Sequence, residues 1–231
     1  MGTDGSLVFL FDVDNTLFDN DALQRQLTEY LTHTFGTAVQ ARYWALFEEL
    51  RDRLGYADYL GALERLRLER PDDPLLLQAV FFFSDYPFRE QLYPGALEAL
   101  EHCARLGRTV ILSDGDAVFQ PLKVRGAGLW AAVQGHVLIY VHKERMLDEV
   151  QRRYPGAHYV LVDDKVRILA AVKQAWGAKV TTVFPRQGHY ALDAAEVARH
   201  PPPDVNLGGI GELASCSLGQ LSGAPAAQKV P

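Results

Sequence analysis

The sequence predicts an α/β fold built on a doubly wound parallel sheet, with an all-helical domain inserted after the first strand. Short, uninterrupted apolar runs recur along the chain, and such runs are typical of strands that are buried on both faces. They alternate with segments of helical periodicity, which indicates a parallel sheet with helical connections. About seventy residues of helical periodicity separate the first run from the second, whereas an ordinary connection in such a fold takes roughly 2–6 residues.

The first predicted strand covers residues 7–11, and the inserted helices follow it. Apolar residues recur at helical spacing in three segments before a proline-containing break, and one further apolar segment comes after that break; these segments are 23–31, 44–54, 60–66 and 75–83. We therefore predict a helical domain over residues 18–89.

The core resumes near Tyr93-Pro94-Gly95, and strands and helices then alternate. Predicted helices cover 96–104, 118–122, 146–150 and 168–176, and predicted strands cover 109–112, 137–141, 159–162 and 180–184. A last short element lies around 205–213. These elements predict a core made of residues 1–17 and 90–214. The Gly-, Ala-, Ser- and Pro-rich segment 215–231 is predicted to be a flexible tail.

Composition narrows the class of partner. The 231 residues carry a formal net charge of −6 and are 48% hydrophobic, so we expect a globular protein with no general attraction for nucleic acid or anionic membranes. No stretch approaches the ~20 apolar residues of a membrane span, and the first apolar run is too short for a signal peptide. Two cysteines form no disulfide framework, which favours the cytoplasm. Composition leaves the oligomeric state open.

Polar side chains follow four of the predicted strands. Asp12, Asp14 and Thr16 follow the first strand; Ser113, Lys143 and the pair Asp163/Asp164 follow the next three. Ligands of open α/β sheets bind outside the carboxyl ends of the strands, so these groups are expected to converge on one edge of the sheet. Carboxylates, a hydroxyl and an amine at one edge indicate a phosphoryl-transfer site.

This set of motifs resembles the haloacid dehalogenase-like (HAD) hydrolase superfamily, whose pattern is Asp-x-Asp-x-Thr/Ser, then Ser/Thr, then Lys/Arg, then paired acids. The order and spacing match over roughly residues 6–214. A lone Asp-x-Asp-x-Thr would be weak evidence, because short motifs recur by chance. The resemblance implies a Rossmann-like core with a helical cap placed directly after the first motif.

The first motif is expected to carry the covalent chemistry. A carboxylate at Asp12 can attack phosphorus and form an aspartyl-phosphate, although an aspartate after a strand often serves only as a helix N-cap. The resemblance implies that Asp14 is the general acid for the leaving alcohol and then the general base for water. Family members that act on carbon–halogen bonds carry a non-acid at this position, so Asp14 favours phosphate chemistry.

Phosphate and metal binding are assigned to the remaining motif residues. Phosphate-binding residues are predicted to be Asn15, Thr16, Ser113, Asp114 and Lys143. Adjacent carboxylates repel each other unless a cation compensates them, and Mg²⁺ prefers oxygen ligands. The predicted metal residues are Asp12, Asp14, Asp163 and Asp164. The resemblance implies that Asp164 is the direct ligand and Asp163 acts through water, but the reverse assignment stays open.

These residues predict a Mg²⁺-dependent phosphomonoester hydrolase that acts on a small phosphorylated metabolite. A phosphomutase with the same first step, and a non-catalytic protein that binds phosphate or a partner, are the alternatives. A signalling receiver domain fits poorly, because receivers carry their acid pair after the first strand. Phosphonate cleavage needs a cap lysine, and no lysine precedes Lys123. The candidate specificity residues of the cap are Asp19, Asp21, Arg42, Trp44, Tyr56 and Tyr59.

Overall fold

A six-stranded parallel sheet forms the centre of the computed structural model, which describes residues 7–223. The strand order is β3-β2-β1-β4-β5-β6, and every neighbouring pair is parallel. The strands are β1 Leu7–Phe11, β2 Arg108–Asp114, β3 Val137–Tyr140, β4 His158–Val162, β5 Val180–Pro185 and β6 Val205–Leu207. The predicted fold class is confirmed. Strand β6 lies in the segment for which the sequence predicts only a short element of unspecified type.

Strand β1 shows why the apolar runs are continuous. Its side chains alternate between the two faces of the sheet, and both faces are covered. Phe9 and Phe11 belong to the apolar cluster that continues into the helical insertion, whereas Val8 and Leu10 pack in the cluster on the opposite face. Each fully buried side chain of this size contributes roughly 1.5–3 kcal/mol of hydrophobic stabilisation.

Four helices form the insertion between β1 and β2: α1 Asn20–Phe35, α2 Thr37–Leu54, α3 Tyr59–Glu69 and α4 Ala79–Ser84. Helix α1 begins where the Asp19 side chain accepts a hydrogen bond from Ala22 N at 2.7 Å, and α3 is capped by Asp58 in the same manner. Aromatic contacts join the insertion to the core, because the ring centroid of Tyr59 lies 5.3 Å from that of Phe119.

The two chain segments that connect the insertion to the core lie side by side. Phe18 and Leu92 form an antiparallel bridge. Asp19 N donates to Gln91 O at 2.8 Å, and Tyr93 N donates to Leu17 O at 2.9 Å. The chain therefore enters and leaves the helical insertion through one paired connection.

The remaining helices cover the faces of the sheet. They are α5 Ala96–Leu106, α6 Phe119–Gly126, α7 Leu129–Ala132, α8 Leu147–Arg153, α9 Val166–Trp176, α10 Gly188–Leu192, α11 Ala194–Val197 and α12 Leu218–Leu221. None of the helices within residues 7–223 has the length and apolar character needed to cross a membrane.

Helix α12 lies in the segment that composition predicts to be a flexible tail. Ser217 and Gln220 form a reciprocal capping box at its start, and Leu221 is fully buried in the core. The first part of that segment is therefore ordered by the capping box and by the burial of Leu221. The Gly- and Ala-rich composition of the segment does not indicate either feature. Residues 224–231 of the predicted tail lie outside the described residues.

Candidate active site

The structure brings the predicted acids together at the carboxyl ends of the central strands. Asp12 follows β1, and its amide donates to Val162 O at 3.0 Å, which holds it beside the end of β4. Asp163 and Asp164 follow β4. Carboxylate oxygens of Asp12, Asp163 and Asp164 all lie within 4.8 Å of one another, and all three residues are buried. A buried cluster of three carboxylates requires compensating positive charge.

Lys143 supplies part of that charge. It begins the 3-10 turn Lys143–Arg145 after β3, and its ammonium is ion-paired with Asp12 and lies 2.7 Å from Asp163 Oδ2. It also donates to Leu112 O at 3.3 Å. Burial alone would lower the pKa of Lys143, but Asp12 and Asp163 outweigh it and raise the pKa above its usual value. Lys143 is therefore charged and fixed between two strand ends.

The two adjacent aspartates differ in the contacts that their carboxylate oxygens make with the protein. Asp163 Oδ1 accepts from Lys165 N at 2.8 Å, and Oδ2 makes no hydrogen bond within the described part of the chain but lies 2.7 Å from Lys143 Nζ in an ion pair. Both carboxylate oxygens of Asp164 are buried and have no hydrogen-bond partner among residues 7–223. Burial raises the pKa of the Asp164 carboxyl well above its usual value, although Lys165 opposes this shift. Buried oxygens without partners are rare in folded proteins, and hard oxygen ligands of this kind fit a divalent cation.

Thr16 joins two of the motifs. Its hydroxyl donates to Asp12 Oδ2 at 3.3 Å and accepts from Asp164 N at 3.0 Å. The single hydroxyl proton is thus used within the protein, and the side chain fixes the first motif against the fourth. The phosphate contact of Thr16 stays a prediction.

Asn15, for which phosphate binding also stays a prediction, has its side chain engaged in hydrogen bonds within the protein. Its amide oxygen accepts from Asn20 N at 3.0 Å and from Asp21 N at 3.2 Å, and its nitrogen donates to Asp21. It also lies 3.3 Å from a ring nitrogen of His189. Asn15 has a φ of +61°, a left-handed conformation that asparagine tolerates better than most residues. Its side chain therefore caps α1 and joins that helix to α10.

Ser113 lies at the end of β2 and is oriented by Gln120, a residue outside the four motifs. Gln120 Nε2 donates to Ser113 Oγ at 2.9 Å, and Gln120 is buried. A Cβ atom at Gly115 would lie 2.7 Å from Gln120 Cβ and Cγ. Glycine at that position therefore gives the Gln120 side chain room to reach the serine.

Asp114 holds the backbone of Lys143. Its Oδ1 accepts from Lys143 N at 2.7 Å. Burial raises the pKa of Asp114 to about 6, against the opposing effect of Lys143. The Asp114 side chain therefore supports the loop that carries Lys143, and its phosphate-binding role stays a prediction.

Asp14 is paired with a lysine that the sequence motifs do not include. Lys123 Nζ, from helix α6, lies 2.6 Å from Asp14 Oδ1 and 3.0 Å from Asn20 Oδ1. Sequence reasoning does not select Lys123, because lysines are usually solvated. The available signal is its position four residues after Phe119, which places it on the apolar face of α6.

The candidate specificity residues of the insertion have different surroundings. Gly55, in the loop between α2 and α3, lies against the loop after β3, because a Cβ atom there would be 2.6 Å from His142 Cε1. Tyr56 in the same loop is half-buried, whereas Tyr59 is fully buried. Arg42 is held in an exposed ion pair with Glu69.

The other three candidates lie at or near the first helix of the insertion. Asp19 caps α1, and Asp21 bonds to the ring and backbone of His189. Trp44 Nε1 donates to Thr28 Oγ1 at 3.0 Å. The loop after β5, to which the sequence assigns no chemistry, also contacts the first motif: Gln187 Nε2 donates to Thr16 O at 2.7 Å.

Comparisons with known proteins agree with this architecture. The sequence model of the haloacid dehalogenase-like hydrolases matches residues 7–176, and the chain belongs to this family. A haloacid dehalogenase-like hydrolase from Burkholderia xenovorans LB400 is 58% identical, with a TM-score of 0.87 over 92% of this chain and 99% of that one. The predicted family membership is confirmed. No curated protein matches the sequence.

Two more distant structures share the fold. L-2-haloacid dehalogenase from Xanthobacter autotrophicus, with chloropropionic acid covalently bound, is 19% identical, with a TM-score of 0.59 over 90% of this chain and 96% of that one. The magnesium-bound HAD hydrolase YfnB from Bacillus subtilis is 17% identical, with a TM-score of 0.60 over 92% of this chain and 98% of that one. At these identities the likeness establishes the fold alone.

Proposed function

We propose that this hydrolase is a Mg²⁺-dependent phosphatase that cleaves a small phosphorylated metabolite through an aspartyl-phosphate on Asp12. The observation that carries the proposal is Asp164, whose two carboxylate oxygens are buried beside Asp12 without a hydrogen-bond partner in the described chain. In its ionised form such a group is compensated by a cation, and a divalent cation at a phosphoryl-transfer site stabilises the charge that develops there.

The charge balance of the site supports a divalent ion. Five carboxyl groups lie around the strand ends with three lysines, so the fully ionised site would have an excess of two negative charges. The residues are Asp12, Asp14, Asp114, Asp163 and Asp164, with Lys123, Lys143 and Lys165. Asp12, Asp164 and the backbone carbonyl of Asp14 would hold Mg²⁺, with Asp163 behind them on Lys143. When bound, the ion would neutralise the phosphoryl oxygens and the attacking carboxylate.

The protein groups account for the remaining steps. A carboxylate oxygen of Asp12 forms a bond to phosphorus as the bond to the leaving oxygen breaks, and Asp14 transfers its proton to that oxygen. Water then attacks phosphorus, its proton passes to Asp14, and the Asp12 carboxylate is released with inorganic phosphate. Lys143 stabilises the negative charge on Asp12 and on the phosphoryl group during both transfers.

Burial of the catalytic groups favours a small substrate. The insertion packs on the strand-end loops through Gly55 and His142, and Asp12 and Lys143 are both buried. An enclosed site excludes water and limits the size of the leaving group. Two free cysteines within residues 7–223 are compatible with the reducing cytoplasm, where phosphorylated metabolites occur.

Dehalogenation is the competing activity, because the fold is shared with an L-2-haloacid dehalogenase that carries a covalent substrate. Asp14 argues against it in this chain, because breaking a carbon–halogen bond needs no proton donor at that position.

The experiment measures phosphate release from a panel of phosphorylated metabolites and halide release from 2-haloacids, each with Mg²⁺ and with chelator. We expect Mg²⁺-dependent phosphate release, and we expect Asp12→Asn to lower turnover by more than about 10⁴-fold while the circular dichroism spectrum is unchanged. Metal-independent halide release without phosphate release would replace the proposal by dehalogenation. A product isomer without free phosphate would identify a mutase, and binding without turnover would identify a non-catalytic protein.

A further inference from the structure

Lys123 is a completely enclosed charged side chain between the core and the insertion. Its solvent exposure is 0%, and its two hydrogen bonds join different parts of the fold: Asp14 in the first motif and Asn20 at the start of α1. Three aromatic rings surround the ammonium, with centroids 5.3 Å away for Phe18, 5.4 Å for Phe119 and 6.0 Å for Tyr59. Rings at these distances attract a cation, so the ammonium has a fixed position.

The cap side of this arrangement is itself fixed by hydrogen bonds. Asn20 Nδ2 donates to the hydroxyl of Tyr59 at 3.1 Å, and Gln24 Nε2 donates to the same oxygen at 3.0 Å. Asn20 N donates to Asn15 Oδ1 at 3.0 Å. The side-chain oxygen of Asn20 is therefore held toward Lys123, which in turn has little freedom to move.

Asp14 is the less constrained member of the pair. Its side chain is 22% exposed, so it lies at the edge of the enclosed region. Lys123 binds Oδ1, and Oδ2 makes no hydrogen bond to any residue within 7–223. A carboxylate with one oxygen held and the other free has a defined orientation, because rotation about its last side-chain bond would break the hydrogen bond.

We propose that Lys123 is the positioning residue for Asp14: it holds Oδ1 and so directs Oδ2 toward the substrate as the oxygen that exchanges the proton. This inference rests on the proposed phosphatase function and assigns a role to a residue outside the four motifs. The proton passes from Oδ2 to the leaving oxygen as the phosphorus–oxygen bond breaks, and Oδ2 takes it back from water. Lys123 keeps its own protons throughout.

The cap takes part in this positioning through Asn20 and Tyr59. Both belong to the insertion, whereas Lys123 and Phe119 belong to core helix α6. The orientation of Asp14 therefore depends on the insertion being seated on the core. Substituting Asn20 should impair the same proton-transfer step as substituting Lys123, although neither residue touches the phosphoryl group.

The test compares Lys123→Met with wild type on alkyl phosphates and on an aryl phosphate with a good leaving group. Methionine fills the aromatic surroundings without a charge. The parameter is kcat/KM, which covers the steps through cleavage of the ester. We expect a loss of about 10²-fold on alkyl phosphates, whose leaving oxygen must be protonated, and a loss below about threefold on the aryl ester. Asn20→Ala should show the same selectivity with a smaller loss.

Lys173→Met is the matched control, because Lys173 is bonded to Val180 O and to Asp204, away from the strand-end site. It should leave the ratio of alkyl to aryl kcat/KM unchanged. The double variant Asp14→Asn/Lys123→Met should have the same kcat/KM as Asp14→Asn alone, since Lys123 acts through Asp14. Equal losses on both ester classes, or losses that multiply in the double variant, would overturn the proposal.

A crystal structure of Lys123→Met gives a readout that is independent of turnover. The carboxylate of Asp14 should leave its wild-type conformer in this variant and keep it in Lys173→Met. An unchanged Asp14 in Lys123→Met would refute the positioning role even if wild type proves to be an active phosphatase. If wild type releases no phosphate from any ester, the proposed function fails, and the positioning role in proton transfer fails with it whatever the crystal structures show.

Discussion

Lys143 and Lys123 are both buried lysines, but the regions around them balance charge differently. The strand-end region places Lys143 among Asp12 and Asp163 with Asp164 beside them. The junction between core and insertion places Lys123 against one carboxylate, one amide oxygen and three aromatic rings. The first region has more negative than positive charge, whereas the second is balanced by protein groups alone.

This difference shows which region depends on a bound ion. A buried ion pair is stable when its partners are complete, and removal of one partner leaves a charge whose desolvation is uncompensated. The strand-end region should therefore respond strongly to Mg²⁺ and to the loss of any one charge. At the junction, the loss of a charge should mainly change the orientation of Asp14, because this carboxylate is partly exposed and water can solvate it.

The largest effect is expected for Lys143→Met. It should lower kcat/KM by about 10²–10³-fold on alkyl and aryl phosphates alike, because Lys143 stabilises the phosphoryl group rather than the leaving oxygen. In chelator the free energy of unfolding should fall by about 3–5 kcal/mol, since Asp12 and Asp163 lose their counter-ion. Urea unfolding of wild type and Lys143→Met, with chelator and with Mg²⁺, measures this change in the free energy of unfolding.

Added Mg²⁺ should restore part of that stability in Lys143→Met and have little effect on the stability loss in Lys123→Met. Lys123→Met is the matched control, because it also removes a buried ammonium. If both variants show the same response to Mg²⁺, the two regions do not differ in the proposed manner.

The next effect separates the two adjacent aspartates. Asp164→Ala should weaken Mg²⁺ binding by more than about 10²-fold, and Asp163→Ala should weaken it by roughly tenfold, because Asp163 acts by holding Lys143 and the amide of Lys165. Isothermal titration calorimetry measures both affinities. A larger loss for Asp163→Ala would reverse the assignment of the direct ligand.

The junction can be tested through the hydroxyl of Tyr59. Tyr59→Phe should lower the free energy of unfolding by about 1–3 kcal/mol, because the buried amide of Asn20 loses its acceptor. Tyr30→Phe is the control, since the Tyr30 hydroxyl has no hydrogen bond within the described range. Equal changes in the two variants would show that the hydroxyl network does not hold Asn20.

The smallest effect concerns Asp114, which supports Lys143 from the backbone side. Burial raises its pKa to about 6, so between about pH 4 and pH 6 the folded state keeps a proton that the unfolded state releases. The free energy of unfolding should therefore fall as pH rises through this interval, by less than about 2 kcal/mol.

Asp114→Asn lacks this titration and retains an acceptor for Lys143 N. The difference in melting temperature between wild type and Asp114→Asn should thus change over pH 4–6 and be constant above pH 7. If the melting temperatures of the two proteins run parallel over the whole pH range, the raised pKa of Asp114 is contradicted.

The sequence predicts the strand-end region much better than the junction. The apolar runs and the acids that follow them are local features, and parallel pairing brings their carboxyl ends to one edge. Asp12, Ser113, Lys143 and Asp164 can therefore be identified from local sequence patterns. Lys123 and Gln120 cannot, because each acts through contacts that form only when α6 packs against the strand-end loops and the insertion.

Two of the predicted phosphate-binding residues also support the loops that carry them. Asn15 and Asp114 stand inside the motifs, which favours assigning their side chains to phosphate, but each motif loop also needs internal hydrogen bonds to hold its shape. Their side chains supply those bonds to α1 and to Lys143. A sequence pattern identifies which loop is at the site but does not separate the groups that face the ligand from those that support the loop.

The paired connection at Phe18 and Leu92 has a consequence for how new specificities can arise. Residues paired across an antiparallel bridge have Cα atoms only about 4.5–5.5 Å apart, so a short turn could join them and close the core without the four inserted helices. A different insertion could be grafted at the same two positions while the sheet and its catalytic loops keep their geometry. Lys123 limits this exchange of insertions. A transplanted domain would need its own equivalents of Asn20 and Tyr59, because without them the Lys123 ammonium of the core would lose part of its surroundings.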